Sequence, residues 1–185
     1  MKRIIAALCL VVLMTGCAGK SDELNRAMAL RSKMLTQGIR FEAEITADYG
    51  DKIYTFGMEC QSDDQGAFTF TVTQPQSITG ISGRIDATGG KLTFDDKALS
   101  FPLMADEQIT PVSGPWVLIK TLRSGYLTSC GRDGNQIRVA IDDSYADDAL
   151  HLDIWLDNEE LPMRAEILWK GRRILTVAVK NFHFV

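Results

Sequence analysis

Four cysteines and two histidines are the residues of this 185-residue chain with the widest chemical range. A thiolate can attack a carbonyl, accept a lipid, bind zinc or close a disulfide, and an imidazole can move a proton near neutral pH. The histidines, His151 and His183, both fall in segments of alternating polarity, and no GxSxG elbow accompanies them. HExxH, the phosphate-binding P-loop and GxGxxG are also absent. The chain is therefore expected to be no enzyme and to hold neither cofactor nor metal. Asp142, Asp143, Asp147 and Asp148 are the one concentration of hard cation ligands. They lack the glycine and terminal glutamate of a calcium loop and read as a solvated turn. Glu159 and Glu160 also fall in a turn and carry no acid–base signal.

Cys17 stands apart because of what precedes it. Lys2 and Arg3 lead into an unbroken apolar run of eleven residues, Ile4 to Met14, followed by Thr15, Gly16 and Cys17. Basic start, short apolar stretch and small-residue junction are the parts of a secretory signal. Leu13-Met14-Thr15-Gly16-Cys17 resembles the lipobox of bacterial lipoproteins, with Met14 in place of the usual leucine. That resemblance implies a diacylglyceryl group on the Cys17 thiol, cleavage before it, and acyl chains of the palmitate kind holding the protein on a membrane. Each buried methylene adds roughly 0.8 kcal/mol, so two or three chains anchor almost permanently. The alternative is a plain secretory signal with a chance cysteine. The expected division is a signal peptide at 1–16, lipidated cysteine and polar tether at 17–22, and one domain at 23–185.

Charge and hydropathy exclude other classes. Without residues 1–16 the chain has 18 basic against 24 acidic residues, a formal charge of −6. Such a surface has no general attraction for phosphate backbones, which argues against nucleic acid as partner. Beyond residue 14 no stretch approaches the roughly 20 apolar residues a spanning helix needs. The expected location is the cell envelope, on the extracytoplasmic side of a bacterial membrane. That is the outer face of the plasma membrane in a Gram-positive source and the outer membrane in a Gram-negative one.

Cys60 and Cys130 remain in the folded part, in a compartment where disulfides persist. A bridge between them would close a long loop and add about 3–5 kcal/mol. The alternative is two reduced thiols acting as small hydrophobes.

Periodicity gives the elements that must position these groups. Residues 21–37 read as a helix with Ser21 as N-cap, Gly38 as stop, and Leu24, Met28, Leu35 with Ala27 or Met34 on the docking stripe. From Ile39 the period becomes twofold: Ile39, Phe41, Ala43, Ile45 and Ala47, then Tyr54, Phe56, Met58 and Cys60, then Phe68, Phe70 and Val72. Shorter strands come next at 82–87, 91–94 and 98–101, with Gly89-Gly90 as a hairpin turn. Residues 113–124 break the pattern: Ser113 can cap, Pro115 suits a first turn, and Trp116, Ile119 and Leu122 share a face. Strands resume at 126–130, 136–141, 151–157, 162–170 and 173–184. The prediction is an α+β protein. A curved antiparallel sheet of about ten strands forms an incomplete half β-barrel, with an N-terminal helix and an inserted plug helix.

Such a sheet has more concave surface than two short helices fill, and mouths of this kind hold apolar ligands. Phe41, Tyr54, Phe56, Met58, Phe68, Phe70, Phe94, Trp116 and Ile119 are the cavity candidates. The order of elements, and above all LDIWLDNEELPMRAEILWKGRRILTVAVKNFHF at 152–184, resembles the LolA/LolB-like superfamily of lipoprotein carriers and their relatives. What the resemblance implies is a hydrophobic half-barrel for acyl chains and no catalysis. The sorting carrier is soluble, whereas this chain reads as anchored. Residues 101–104 are the nearest match to an exposed apolar loop. Two roles are open: a lipid, acyl-chain or lipidated-protein binder acting as carrier or sensor, or an anchored structural or interaction module with a filled core.

Overall fold

The computed structural model describes residues 19–185 except 87, 95–96, 102–103 and 106–107, and leaves out the side chains of 19–21, 104–105 and 108. The signal, Cys9, Cys17 and the start of the tether, like Pro102 and Leu103, lie outside the described residues.

Helix α1 (Gly19–Met34) leads into β1 (Ile39–Asp48), β2 (Ile53–Ser62), β3 (Phe68–Gln74), β4 (Ser82–Asp86), β5 (Gly89–Phe94) and β6 (Lys97–Phe101). A small pair, β7 (Met104–Ala105) and β8 (Gln108–Ile109), precedes helix α2 (Gly114–Ser124). The chain returns through β9 (Tyr126–Asp133), β10 (Gln136–Asp142), β11 (Leu150–Leu156), β12 (Pro162–Trp169) and β13 (Arg172–Phe184). β1–β6 and β9–β13 are two antiparallel meanders, joined where β13 pairs with β1, so eleven strands form one sheet in the order 6-5-4-3-2-1-13-12-11-10-9. β6 and β9 are its edges, and the sheet stays open between them. This is the predicted α+β half-barrel with an N-terminal helix and a helix inserted between its halves.

Alternation sets the faces. In β1, Ile39, Phe41, Ala43, Ile45 and Ala47 are buried while Arg40, Glu42 and Glu44 face solvent. α2 lies across the buried face against β1, β10 and β13, which makes it the predicted plug. Trp116, Val117, Leu118, Ile119 and Leu122 are all at most 7% exposed, so the helix is apolar on nearly every side because it is buried on nearly every side.

Four local expectations need correction. α1 already runs from Gly19, so Ser21 lies within it and is not its cap. Its docked face is Glu23, Ala27, Leu30 and Met34, one helical stripe, while Leu24, Met28 and Leu35 are 38–55% exposed. The competing stripe was misleading because the docked one carries a glutamate. Gly89 and Gly90 open β5 rather than forming a turn. A Cβ at Gly90 would lie 2.1 Å from the Phe101 ring, so this glycine is a seat for an aromatic on the neighbouring strand. Finally, Ser113 makes no capping hydrogen bond; its hydroxyl and that of Thr121 are buried without a partner among the described residues.

Glu23 explains how α1 is held. Its carboxylate accepts from Arg132 Nε at 2.8 Å on edge strand β9. Its own backbone N–H and then Arg132 hold the carboxyl below its ordinary value of 4.5. The ionised form therefore favours the folded state; its contribution is complete above 4.5 and disappears as pH falls through the lower folded value. Acidification is expected to raise hydrogen exchange in α1 before the central strands, and Glu23→Gln is expected to produce the same pattern at neutral pH. Uniform exchange along the chain would contradict this role.

Candidate functional site

The two helices cap each other. Arg31 on α1 donates from Nε to Leu122 O at 2.7 Å and from Nη2 to Gly125 O at 2.9 Å, the C-terminal carbonyls of α2. Arg123 on α2 reaches the end of α1, donating from Nε to Met34 O at 2.8 Å. It also donates to Ser62 Oγ at 3.0 Å and Asp63 O at 2.6 Å at the β2–β3 turn. Burial lowers both guanidinium pKa values; for Arg123, Asp63 and Asp64 oppose the shift. The plug is thus tied to the N-terminal helix and the sheet through one side chain.

Under the plug, most cavity candidates are packed. Phe41, Phe56, Met58, Phe68 and Phe70 belong to one continuous core, and so do Trp116 and Ile119. Phe68 is fully buried. Phe41 stacks on Phe182 with centroids 5.7 Å apart. Trp116 and Ile119 also line a cavity of about 520 Å³ between α2 and the β2–β3 turn. Tyr54 and Phe94 are different, at 49% and 48% exposed.

Tyr54 lies near the start of β2 against Tyr49, whereas Phe94 marks where the apolar face outruns its cover. In register, Phe41, Cys60, Phe70, Gly83, Leu92 and Leu99 run across β1 to β6 on the buried face. The row is buried at its inner end, yet Leu92 is only half-buried and Leu99 is 65% exposed. Phe94, on the same face of β5, continues this uncovered flank. What it can do chemically is remove an apolar chain from water, at roughly 25 cal/mol per Å² covered.

The expected disulfide is not formed: Cys60 and Cys130 are both free thiols. Five strands separate β2 from β9 in the open sheet, so the two cysteines stand on different halves of it. Burial pushes the Cys60 thiol far up, helped by Glu59. Burial and then Glu23 raise Cys130. In both, burial disfavours the thiolate, the form that attacks.

The outer face of the C-terminal meander is a matched charge network. Arg138 grips the buried Asp153 through two bonds of 3.0 and 2.6 Å, and His151 Nδ1 lies 2.7 Å from Asp142. Trp155 lies between Arg138 and Arg164, its indole N–H donating to Asp133 at 2.8 Å. Arg164 and Arg173 share Glu166. Asp143 accepts from Leu150 N at 2.9 Å within the acidic turn. Among the described residues no group of three potential ligands could hold a metal ion.

The outer face of the other half is grooved. A cavity of about 680 Å³ crosses β13 and β1 to β5, with Phe41, Cys60, Phe70 and Gly83 as its floor. Sequence reasoning missed this groove. Its signal was the polar half of the strand alternation, Arg40, Gln61, Thr69, Arg84 and Lys91, which becomes one row only when the register is known.

No family model matches the chain, and no curated protein matches it. Solved structures are similar in fold. They include an uncharacterized conserved protein from Thermus thermophilus, at 13% identity and TM-score 0.48, covering 89% of this chain and 86% of that one. A LolA superfamily protein from Nitrosomonas europaea aligns at 9% identity and TM-score 0.44, covering 86% and 93%. A putative outer membrane lipoprotein-sorting protein domain from Vibrio parahaemolyticus aligns at 13% identity and TM-score 0.43, covering 90% and 93%. At this identity the likeness transfers no residue roles, so roles here come from the chain's own side chains.

Proposed function

We propose that this chain is a non-catalytic cell-envelope lipoprotein, anchored through lipid on Cys17, that takes an acyl chain, a lipid or the lipid of another protein onto its open sheet. The supporting observation is the apolar face that runs beyond both helices to Leu92, Phe94 and Leu99. An uncovered apolar strip continuous with the core favours contact with an apolar partner over water. Carrier and sensor share this binding step and differ in whether the ligand is then handed on or only reported.

A specific observation favours the second reading, an anchored interaction module: Phe41, Met58, Phe68 and Phe70, with Trp116 and Ile119, fill the space under the plug. An acyl chain must therefore lie on the β5–β6 flank, or α2 must shift to admit it. The experiment is native mass spectrometry of the mature protein, purified without detergent and then solvent-extracted. A discrete extractable lipid mass, lost in Leu99→Ser, supports the lipid-binding reading. A clean protein mass that stays unchanged after incubation with membrane lipids overturns it in favour of the interaction module.

A further inference from the structure

The groove on the outer face of the N-terminal meander is built from two in-register rows. One row reads His183, Arg40, Gln61, Thr69, Arg84 and Lys91, residues directly opposite one another across β13, β1, β2, β3, β4 and β5. It contains three permanent cations and no acid. The other row reads Glu42, Glu59, Thr71, Ser82 and Thr93 across β1 to β5. All of these side chains line the same 680 Å³ cavity.

Two juxtapositions in this groove are unfavourable as they stand. Arg84 is directly opposite Lys91, and Glu42 directly opposite Glu59. Like charges in facing positions repel and cost stability in a bare sheet. On the C-terminal half of the same face the arginines are paired with carboxylates. Here, among the described residues, Arg40, Arg84 and Lys91 form no ion pair: Arg40 donates to Gln61 at 3.1 Å, and Glu42 accepts from Asn181 at 2.8 Å. Asp86 lies near Arg84, but its carboxylate accepts from the backbone and hydroxyl of Thr88 at 2.8 and 2.6 Å.

Along the groove, one end carries Arg84 and Lys91 with no lining carboxylate, and the other carries Glu42 and Glu59 together with Arg40. Arg84 and Lys91 lie beside Thr69, Thr71, Ser82 and Thr93, two cations among four hydroxyls. This is the donor set that recognises phosphoryl oxygens. About three strand spacings away, roughly 14 Å along the sheet, Glu42, Glu59 and Gln61 offer acceptors for ligand hydroxyls.

We propose that this groove binds a phosphorylated polyol or sugar, its phosphoryl group between Arg84 and Lys91 and its hydroxyls directed toward Glu42 and Glu59. The ligand's source is either a lipid headgroup or a soluble phosphate ester. The site is on the opposite face from the acyl-chain flank and does not depend on it.

Residues 18–185 contain every element of the fold and are used for the test. The protein is titrated with glycerol 3-phosphate while backbone amide resonances are followed, and separately sedimented with phosphatidylcholine vesicles with and without phosphatidylglycerol. Saturable shifts at Thr69, Ser82 and Thr93 are expected, with the dissociation constant raised about tenfold or more in Arg84→Gln/Lys91→Gln. Lys33→Gln/Lys52→Gln, which removes the same charge elsewhere on the surface, should leave it unchanged. Response to the soluble ester identifies a free ligand; response only to phosphatidylglycerol vesicles, with the same dependence on Arg84 and Lys91, identifies a headgroup. Absence of saturable binding to either probe overturns the site, as does equal weakening in the control variant.

Discussion

Replacing Arg123 with methionine is expected to lower the unfolding free energy by about 2–4 kcal/mol, because hydrogen bonds to charged groups are worth about 1.5–3 kcal/mol and several are lost together. Methionine keeps the length of the side chain and much of its apolar stem, so the loss isolates the guanidinium. Left behind would be Met34 O and Ser62 Oγ, partly buried, and the exposed Asp63 O, at the meeting point of both helices and the β2–β3 turn. Arg123→Lys should recover only a minor part, since one ammonium cannot satisfy acceptors in the directions of a planar fork. Urea unfolding checks this: the midpoint should fall with an unchanged slope. A loss under about 0.5 kcal/mol would mean that water replaces the guanidinium freely and that α2 is not tied down through this residue.

Phe68→Ala is expected to cost about 3–5 kcal/mol, the range for removing a buried aromatic from a packed core. Phe68 is fully buried, with Phe41 at a centroid distance of 6.3 Å. Leu99→Ser, on the same apolar face but 65% exposed, should shift stability by no more than about 0.5 kcal/mol. The contrast separates residues that hold the fold from those available to a ligand. If Phe68→Ala instead costs under about 1 kcal/mol and gains bound lipid, the space under the plug is itself the ligand chamber.

Along the chain, the alternation of Ile39, Phe41, Ala43, Ile45 and Ala47 already assigned β1 its two faces, and the same period located most of the sheet. Between β12 and β13, Lys170 and Gly171 both take positive φ, 49° and 75°, as a tight right-twisted hairpin requires. α2 could be read from Pro115 and its apolar run, because a helix buried on nearly every side has no polar stripe to disguise it. The docked face of α1 was not legible. Glu23 is buried only because Arg132, 109 residues away, meets it.

The candidate site divides along the same line. Residue type alone marked Phe41, Phe68 and Phe70 as inward-facing, since a pleated strand sends alternate side chains to one side. Whether they line a chamber or fill it depends on α2, which only the folded chain lays across β1, β10 and β13. The separation of Cys60 from Cys130 is a matter of strand order, with five strands between them, and no local pattern encodes that. The groove is the clearest case: Arg40, Arg84 and Lys91 are scattered over about fifty residues of sequence. Local periodicity therefore determined elements, faces and the leader-like N-terminal segment. Tertiary structure decided neighbours, because register across strands is set by long-range pairing and by the burial that pairing completes.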